Sequence, residues 1–167
     1  MKNNNTPQHA TVLAVDPTVR GMGYVVMEGP DDVIDWGTSH VHFRKNRFVE
    51  RKVTKLIEFC SPDVLIIEDA ADGRRCARVN TLLASLEQLA MERGLEVVKV
   101  SHGNVLQTFS NFDVSTKHAI ARKLVEFYPQ LDSMLPGKRK IWESEDGRYG
   151  IFDAAALGFA HYYLQQD

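Results

Sequence analysis

The stretch that decides the fold of this chain is TVLAVDPTVRGMGYVVME, residues 11–28. Its first part, TVLAV, is an apolar, β-branched run of strand length. Because Pro17 cannot extend a sheet ladder, the pattern predicts a strand that ends with Asp16 at its C-terminal tip. The glycines of RGMG at residues 20–23 suit a tight turn, and YVVM is typical of a second strand that runs back beside the first. A carboxylate in that place can hold a metal ion, or it can simply cap the turn, as aspartate before proline often does.

Length and composition favour one globular domain. The chain has 167 residues, of which 44% are hydrophobic and 25% charged, and these fractions are ordinary for a domain with its own core. We expect residues 1–10 to be a disordered N-terminal tail, without the apolar segment of a signal peptide, and residues 11–167 to form a single domain. No apolar run approaches the ~20 residues that a membrane-spanning helix needs.

Cysteine content and net charge narrow the function classes. Cys60 and Cys76 are too few for a disulfide framework or a zinc site, so we expect reduced thiols and a cytoplasmic protein. The net charge of −2 argues against a protein that coats nucleic acid indiscriminately. The sequence contains no Gly-rich phosphate loop of the Walker kind, and no Ser/His/Asp or Cys/His spacing that indicates nucleophilic catalysis.

The remaining periodicities predict a layered α/β fold. After the hairpin, VIDWGTSHVHF (33–43) alternates as a third antiparallel strand, whereas DVLIIE (63–68) and LEVVKV (95–100) are typical of parallel strands. Helices are predicted over residues 44–60, from Val79 to Gly94, from a Ser115 cap to Pro129, and over roughly residues 149–164. This order indicates a five-stranded mixed sheet, three antiparallel strands and then two parallel ones, with helices on both faces.

The helix predicted at residues 44–60 carries two stripes. Its apolar stripe is Val49, Val53, Leu56, Ile57 and Cys60, which lie on one face at helical spacing. A separate basic stripe consists of Arg44, Arg47, Arg51 and Lys55. Such a stripe can bind backbone phosphates, or it can be an ordinary solvated helix face.

Three acids in different elements are candidates for one site. Asp16 and Glu68 follow strands predicted to be parallel, and sites collect at the carboxyl ends of such strands. Asp153 lies in GIFDAAALGF (150–159), a helix that is apolar nearly all round, where an ionised carboxylate is costly unless it is paired or bound to a cation. Alternatively, the helix dipole or a nearby backbone group stabilises Asp153. Together the three acids favour a Mg²⁺ site, since hard cations take oxygen ligands, and two such ions can promote phosphodiester hydrolysis.

Four motifs then carry a resemblance to a known family. VLAVDPTVRGMGYVVM, VLIIED, STKHAIARKL and FDAAALGFAHYY resemble, in this order, the motifs of the RuvC-like Holliday-junction resolvases, a branch of the ribonuclease-H-like nuclease superfamily. The likeness covers about residues 11–164. In ribonuclease H proper the second acid lies on the first helix, whereas Glu68 ends the following strand, as in the RuvC branch. The resemblance implies the three-layer ribonuclease-H-like fold.

The resemblance also implies roles for residues. It implies that Asp16, Glu68 and Asp153 ligate two Mg²⁺ or Mn²⁺ ions, and that the protein is a homodimer with two active sites on one four-way DNA junction. Lys117 matches a lysine used near the scissile phosphate, although it can also be an exposed lysine at a helix start.

The resemblance also implies a DNA-binding role for the basic residues that follow Glu68. Arg74, Arg75 and Arg78 open a helix where family members grip the DNA backbone and probe the junction centre. Plain solvation of these side chains is the alternative.

The chain departs from the family pattern at three places. Family members usually carry an acid or a histidine three residues before the last aspartate, and that position is Gly150 here. Asp146 can substitute if the helix begins early enough, with Glu143 and Glu145 as weaker candidates. The family's other basic residue falls near Leu106-Gln107, and Ala70-Ala71 replace an aromatic residue that can enter the junction.

We therefore expect a metal-dependent, structure-selective endonuclease that resolves four-way DNA junctions by paired hydrolysis. One alternative is a nuclease of the same fold, similar to YqgF-type proteins, that acts on RNA or other branched DNA. Another is a junction-binding module whose catalysis has lapsed, which Gly150 and the missing aromatic residue favour. The actin-like sugar kinases also begin with an acid-ended strand and hairpin, but their Gly-Thr-rich phosphate turn is absent from this sequence.

Overall fold

The structure is a computed structural model that describes residues 9–40 and 45–166. Its strands are β1 (Val12–Thr18), β2 (Gly21–Met27), β3 (Val33–His40), β4 (Val64–Glu68) and β5 (Glu96–Val100). They form one sheet in the order β3-β2-β1-β4-β5, in which β1, β2 and β3 pair antiparallel while β4 and β5 extend the sheet parallel to β1. The predicted mixed sheet is confirmed.

The helices cover both faces of this sheet. They are α1 (Asn46–Cys60), α2 (Ala77–Glu92), α3 (His102–Ser110), α4 (Lys117–Phe127) and α5 (Tyr149–Leu164). Successive strand residues point to opposite faces. Accordingly, Leu13 and Val15 pack with the apolar stripes of α1 and α2, whereas Ala14 and Ile66 pack with α3, α4 and α5. The three-layer arrangement predicted for the ribonuclease-H-like fold is therefore confirmed.

Two local predictions are wrong. β1 does not stop at Asp16 but continues to Thr18, and Pro17 lies opposite Met22 of β2. Proline is tolerated there because β1 pairs with β4 only from Val12 to Ala14 and is an edge beyond that point. Thr116, and not Ser115, caps α4 by accepting a hydrogen bond from the Ala119 amide at 3.2 Å.

The boundary of α1 also differs from the prediction. The helix begins at Asn46, with Lys45 as its N-terminal cap residue. Arg44, which the sequence places in the basic stripe, and the end of the third predicted strand at residues 41–43 lie outside the described residues.

The first turn of α5 lies directly on β2. A Cβ at Gly23 would lie 1.9 Å from the carbonyl carbon of Gly150, and a Cβ at Gly150 would lie 3.1 Å from the Gly23 Cα. Asp16 pairs with Gly23 across the hairpin, and Asp153 lies one helical turn after Gly150. The contact between the two glycines therefore brings the carboxylates of β1 and α5 to the same place.

None of the helices within residues 9–40 and 45–166 has both the length and the apolar content to cross a bilayer.

We predict that Gly23→Ala lowers the free energy of unfolding by about 2 kcal/mol or more, because the new methyl group has to push α5 away from the sheet. Urea unfolding measures the loss. Gly137→Ala is the matched control, since nothing lies within 4 Å of a Cβ built at Gly137. Equal stability of the two variants would contradict the close packing of α5 on β2.

Candidate active site

The most buried carboxylate of the site is Asp16 on β1. Its exposed fraction is 2%. One oxygen, Oδ1, accepts a hydrogen bond from Arg75 Nη2 at 2.7 Å, whereas Oδ2 is buried and has no hydrogen-bond partner among residues 9–40 and 45–166. Burial raises the pKa of Asp16 to about 7, and the negative charge of Asp153 adds to the shift, while Arg75 opposes it. An unsatisfied buried carboxylate oxygen is costly, and a bound cation would relieve that cost.

Glu68 is the second buried carboxylate and ends β4 with an exposed fraction of 3%. Its Oε1 accepts hydrogen bonds from Nε (3.2 Å) and Nη2 of Arg74, and its Oε2 accepts one from Nε of Arg75. The guanidinium of Arg75 therefore bridges Glu68 and Asp16, and it also donates to the Pro17 carbonyl at 3.3 Å. Buried carboxylates need such compensation to remain ionised.

Asp153 on α5 is the third acid and is paired with Lys117, the first residue of α4. Lys117 Nζ lies 2.9 Å from Asp153 Oδ2 and donates a hydrogen bond to Glu145 Oε1 at 2.6 Å. Burial raises the pKa of Asp153, although Lys117 opposes the shift. Burial by itself would lower the pKa of Lys117, but Asp153 and Glu145 outweigh it and raise that pKa, so the ammonium stays charged.

These side chains line one cleft of about 830 Å³. The structure thus brings Asp16, Glu68, Asp153 and Lys117 together from β1, β4, α5 and α4. Arg74 and Arg75 lie in the same cleft. The three acids are far apart in the chain, and their convergence in one cleft is what a shared site needs.

The donor set of the cleft fits a hard divalent cation. Three carboxylates converge, two of them buried, and Asp16 Oδ2 lacks any other partner. As they stand, however, no three His, Cys, Asp or Glu side chains within residues 9–40 and 45–166 are grouped so as to hold a metal ion. Asp16 Oδ1, both oxygens of Glu68 and Asp153 Oδ2 are bonded to Arg74, Arg75 or Lys117, so an ion that takes these oxygens would have to exchange with the cations.

The acid expected to replace the ligand missing at Gly150 is not the one that reaches the cleft cations. Because α5 begins only at Tyr149, Asp146 precedes the helix, and the condition for its role is not met. Its carboxylate accepts hydrogen bonds from Arg148, at 2.9 Å from the amide and 2.7 Å from Nη2, and these bonds lower the pKa of Asp146. Glu145, which sequence reasoning ranked below Asp146, bonds to Lys117 instead.

His102 is a cleft residue that the sequence analysis did not single out. It begins α3 immediately after β5, so it lies at the carboxyl end of a parallel strand, as Glu68 does. Burial lowers the pKa of His102, and the charge of Arg74 lowers it further, so the imidazole is neutral near pH 7. The strand-end position was the sequence signal that could have found it.

The predicted DNA-binding arginines fall into three environments. Arg74 and Arg75 contact the cleft carboxylates, whereas Arg78 donates hydrogen bonds to the Val19 carbonyl and to Asn46 Oδ1. Arg78 therefore links α2 to the β1–β2 turn and to α1. Arg47 and Arg51 are exposed on α1 with their guanidinium carbons 5.3 Å and 5.9 Å from the centre of the Phe48 ring, and they do not line the cleft.

Comparisons with known proteins identify the fold. No protein-family model matches the sequence, and no curated protein matches it. Thermus thermophilus RuvC in complex with Holliday junction substrate matches with a TM-score of 0.69 and 14% identity, covering 95% of this chain and 96% of that chain. Another Thermus thermophilus RuvC structure matches with a TM-score of 0.68 and 14% identity, covering 93% and 95%.

A viral protein shares the same fold. The Fowlpox virus resolvase, in complex with substrate Holliday junction DNA, matches with a TM-score of 0.54 and 16% identity, covering 92% of this chain and 99% of that chain. Identities of 14% to 16% show the fold alone. This chain therefore has the RuvC-like form of the ribonuclease-H-like fold, as its motifs predicted.

We predict that Asp16→Asn removes a pH-dependent cost of folding in buffer that contains a chelator. The pKa of Asp16 is raised from 3.8 to about 7 in the folded chain, so the folded state binds more protons between these values and stability falls as the pH rises. From about pH 5 to about pH 8 the wild type should lose on the order of 2 kcal/mol relative to the variant.

Urea unfolding at both pH values measures this difference. Asp132→Asn is the control, because Asp132 is exposed and does not line the cleft, so its pH dependence should follow that of the wild type. A difference between Asp16→Asn and the wild type that is the same at both pH values would show that Asp16 does not titrate in this range.

Proposed function

We propose that this chain is a metal-dependent, structure-selective endonuclease that resolves four-way DNA junctions by paired phosphodiester hydrolysis. The observation that carries the proposal is the convergence of Asp16, Glu68 and Asp153 with Lys117 in one cleft of a RuvC-like fold. Two of the structures with this fold were solved with Holliday junction DNA, which supports branched DNA as the substrate class.

The carboxylates of Asp16, Glu68 and Asp153 would hold Mg²⁺ or Mn²⁺, with two ions in each active site. When bound, such ions activate a water and stabilise the leaving 3′ oxygen in phosphodiester hydrolysis. Deprotonated carboxylates are required for this, so affinity for the ions should fall as Asp16 takes up its proton near pH 7. The fourth carboxylate of the site would be Glu145 or, as the sequence suggested, Asp146.

Lys117 would act on the phosphate. Its ammonium remains charged beside Asp153 and is 43% exposed, so it can reach a bound phosphodiester. A fixed positive charge there offsets the negative charge that builds up on the phosphate in the transition state.

The basic residues would position the nucleic acid. Arg74 is 41% exposed and lies beside the acids, so it can exchange Glu68 for a phosphate oxygen. Arg47 and Arg51 would contact the backbone farther from the cleft, and we propose from the sequence that Arg44 also binds backbone phosphates. Paired cuts on a symmetric junction need two active sites, so we propose a homodimer. The cytoplasmic location remains a prediction.

A second candidate function is binding of branched DNA without hydrolysis. One observation favours it: Arg74, Arg75 and Lys117 already form ion pairs with Asp16, Glu68 and Asp153. A protein with permanently paired acids would recognise a junction but would not cut it. Cleavage assays with added ions separate the two candidates.

We predict that the wild type cuts a labelled four-way junction by symmetric paired nicks in Mg²⁺ or Mn²⁺. Asp16→Asn should lower the cleavage rate by at least about a hundredfold, because a charged oxygen ligand is lost. Gel electrophoresis measures cleavage, and a mobility shift in Ca²⁺ measures binding, which should stay within about threefold. Asp132→Asn should behave as the wild type. Flap DNA and structured RNA are compared as substrates.

The outcomes of this assay are distinct. Junction binding without any cleavage in either metal would favour the second candidate. Preferential cleavage of structured RNA or flaps would show that the protein is a nuclease of RNA or of other branched DNA, and not a junction resolvase. Unchanged cleavage by Asp16→Asn would exclude Asp16 from the metal site.

We also predict that Glu145→Gln weakens Mn²⁺ binding about tenfold, while Asp146→Asn changes it less than about twofold. Glu145 reaches the cleft through Lys117, whereas Asp146 is held by Arg148. Titration calorimetry or the paramagnetic resonance signal of free Mn²⁺ measures affinity in the absence of DNA. The reverse order of effects would assign the fourth carboxylate to Asp146.

A further inference from the structure

The segment before α5 carries an exposed aromatic residue in a strongly basic context. Lys138, Arg139 and Lys140 are consecutive, and Ile141 and Trp142 follow them directly. Ile141 is 100% exposed and Trp142 is 80% exposed. Two adjacent large apolar side chains in water gain nothing for the fold, and exposed apolar groups next to charged ones often mark a binding site.

The two apolar side chains lie at the tip of a defined turn. The Glu143 amide donates to the Lys140 carbonyl at 3.0 Å, and the Lys140 amide donates to Glu143 Oε2 at 3.1 Å. These bonds close residues 140–143 into a turn that presents Ile141 and Trp142 to solvent. Lys140 Nζ lies 5.5 Å from the centre of the Trp142 ring, so a cation accompanies the aromatic face.

This turn borders the candidate active site. Lys138 and Arg139 line a shallow hollow of about 550 Å³ together with Glu145 and Asp146, and these two acids also line the catalytic cleft. Glu145 is in turn bonded to Lys117. A strand of nucleic acid that places a phosphate in the cleft would therefore pass close to the turn.

The cations and the aromatic ring of the turn favour single-stranded nucleic acid as its ligand. Cations hold backbone phosphates, and an exposed aromatic ring stacks on any unpaired base, which is the usual arrangement in proteins that bind single strands. Paired bases inside a duplex offer no free face to such a ring. The three consecutive cations favour a polyanion over an apolar protein surface.

We propose that the turn at residues 140–143 is a base-stacking element, in which Trp142 stacks on an unpaired base at a branch point while Lys138, Arg139 and Lys140 hold the neighbouring phosphates. The position of the element rests on the proposed function, since the cleft fixes where the phosphate to be cut lies. Its ligand is DNA with unpaired bases, and fully paired duplex is not expected to use it.

Binding measurements without cleavage test the element. Fluorescence anisotropy in Ca²⁺ is recorded for a four-way junction, an oligo(dT) strand and a fully paired duplex. Trp142→Ala should weaken binding to the junction and to oligo(dT) about tenfold, because one stacked base is lost. It should leave duplex binding unchanged. Trp142→Phe should restore most of the loss, because a phenyl ring still stacks.

A matched control is available on α1. Phe59 is 85% exposed and does not line the catalytic cleft, so Phe59→Ala should leave all three affinities unchanged. Thermal unfolding followed by circular dichroism checks that each variant is folded. In Trp36→Phe, Trp142 is the single tryptophan of the chain, and its emission should be quenched when oligo(dT) is added.

Each result decides one question. Wild-type affinity of Trp142→Ala for the junction and for oligo(dT), or no quenching in Trp36→Phe, would overturn the stacking element while leaving junction cleavage as it stands. An equal loss on paired duplex would also overturn it. If Trp142→Ala instead changes the oligomeric state in sedimentation, the turn is a contact between copies of the chain. If the wild type neither binds nor cuts any of these nucleic acids, the proposed function itself fails.

Discussion

Two carboxylates buried side by side impose the constraint on which this structure depends. Asp16 and Glu68 are 2% and 3% exposed, and burial of such charges is costly unless cations compensate them. Arg75 provides that compensation by bridging both. The chain after β4 therefore has to return over the end of the sheet, and it does so through a short 3₁₀ turn, Ala70–Asp72, before α2 begins.

The same oxygens define how the site would work. Arg75 already bonds Asp16 Oδ1 and Glu68 Oε2, so a divalent ion held by these two carboxylates would compete with its guanidinium. A phosphodiester offers an arginine new acceptors, and hydrogen bonds of a guanidinium to phosphate are among the stronger ones. Metal binding and DNA binding would thus support each other, because Arg74 and Arg75 would release the acids to an ion and would bond a phosphate instead.

The fold could be predicted because strand alternation and helical period are local properties. The apolar stripe of α1 and the strand-end position of Glu68 were both predicted from short windows of sequence. Pro17 misled the prediction because its tolerance depends on where β4 stops pairing, which is a tertiary fact. The sequence also could not show which cation each acid of the preceding loop contacts, because loop geometry pairs Glu145 with Lys117 and Asp146 with Arg148.

Gly150 shows how packing and chemistry are linked in this chain. Gly150 stands at the position where the resemblance implies a ligand, and a Cβ there would make a tight contact of 3.1 Å with the Gly23 backbone. Close approach brings Asp153 to Asp16, but it removes a side chain from the site. A fourth carboxylate ligand would therefore come from the preceding loop, where Glu145 pairs with Lys117. That loop also carries the exposed Trp142. The proposed fourth carboxylate and the proposed base-stacking residue therefore belong to one segment beside the cleft.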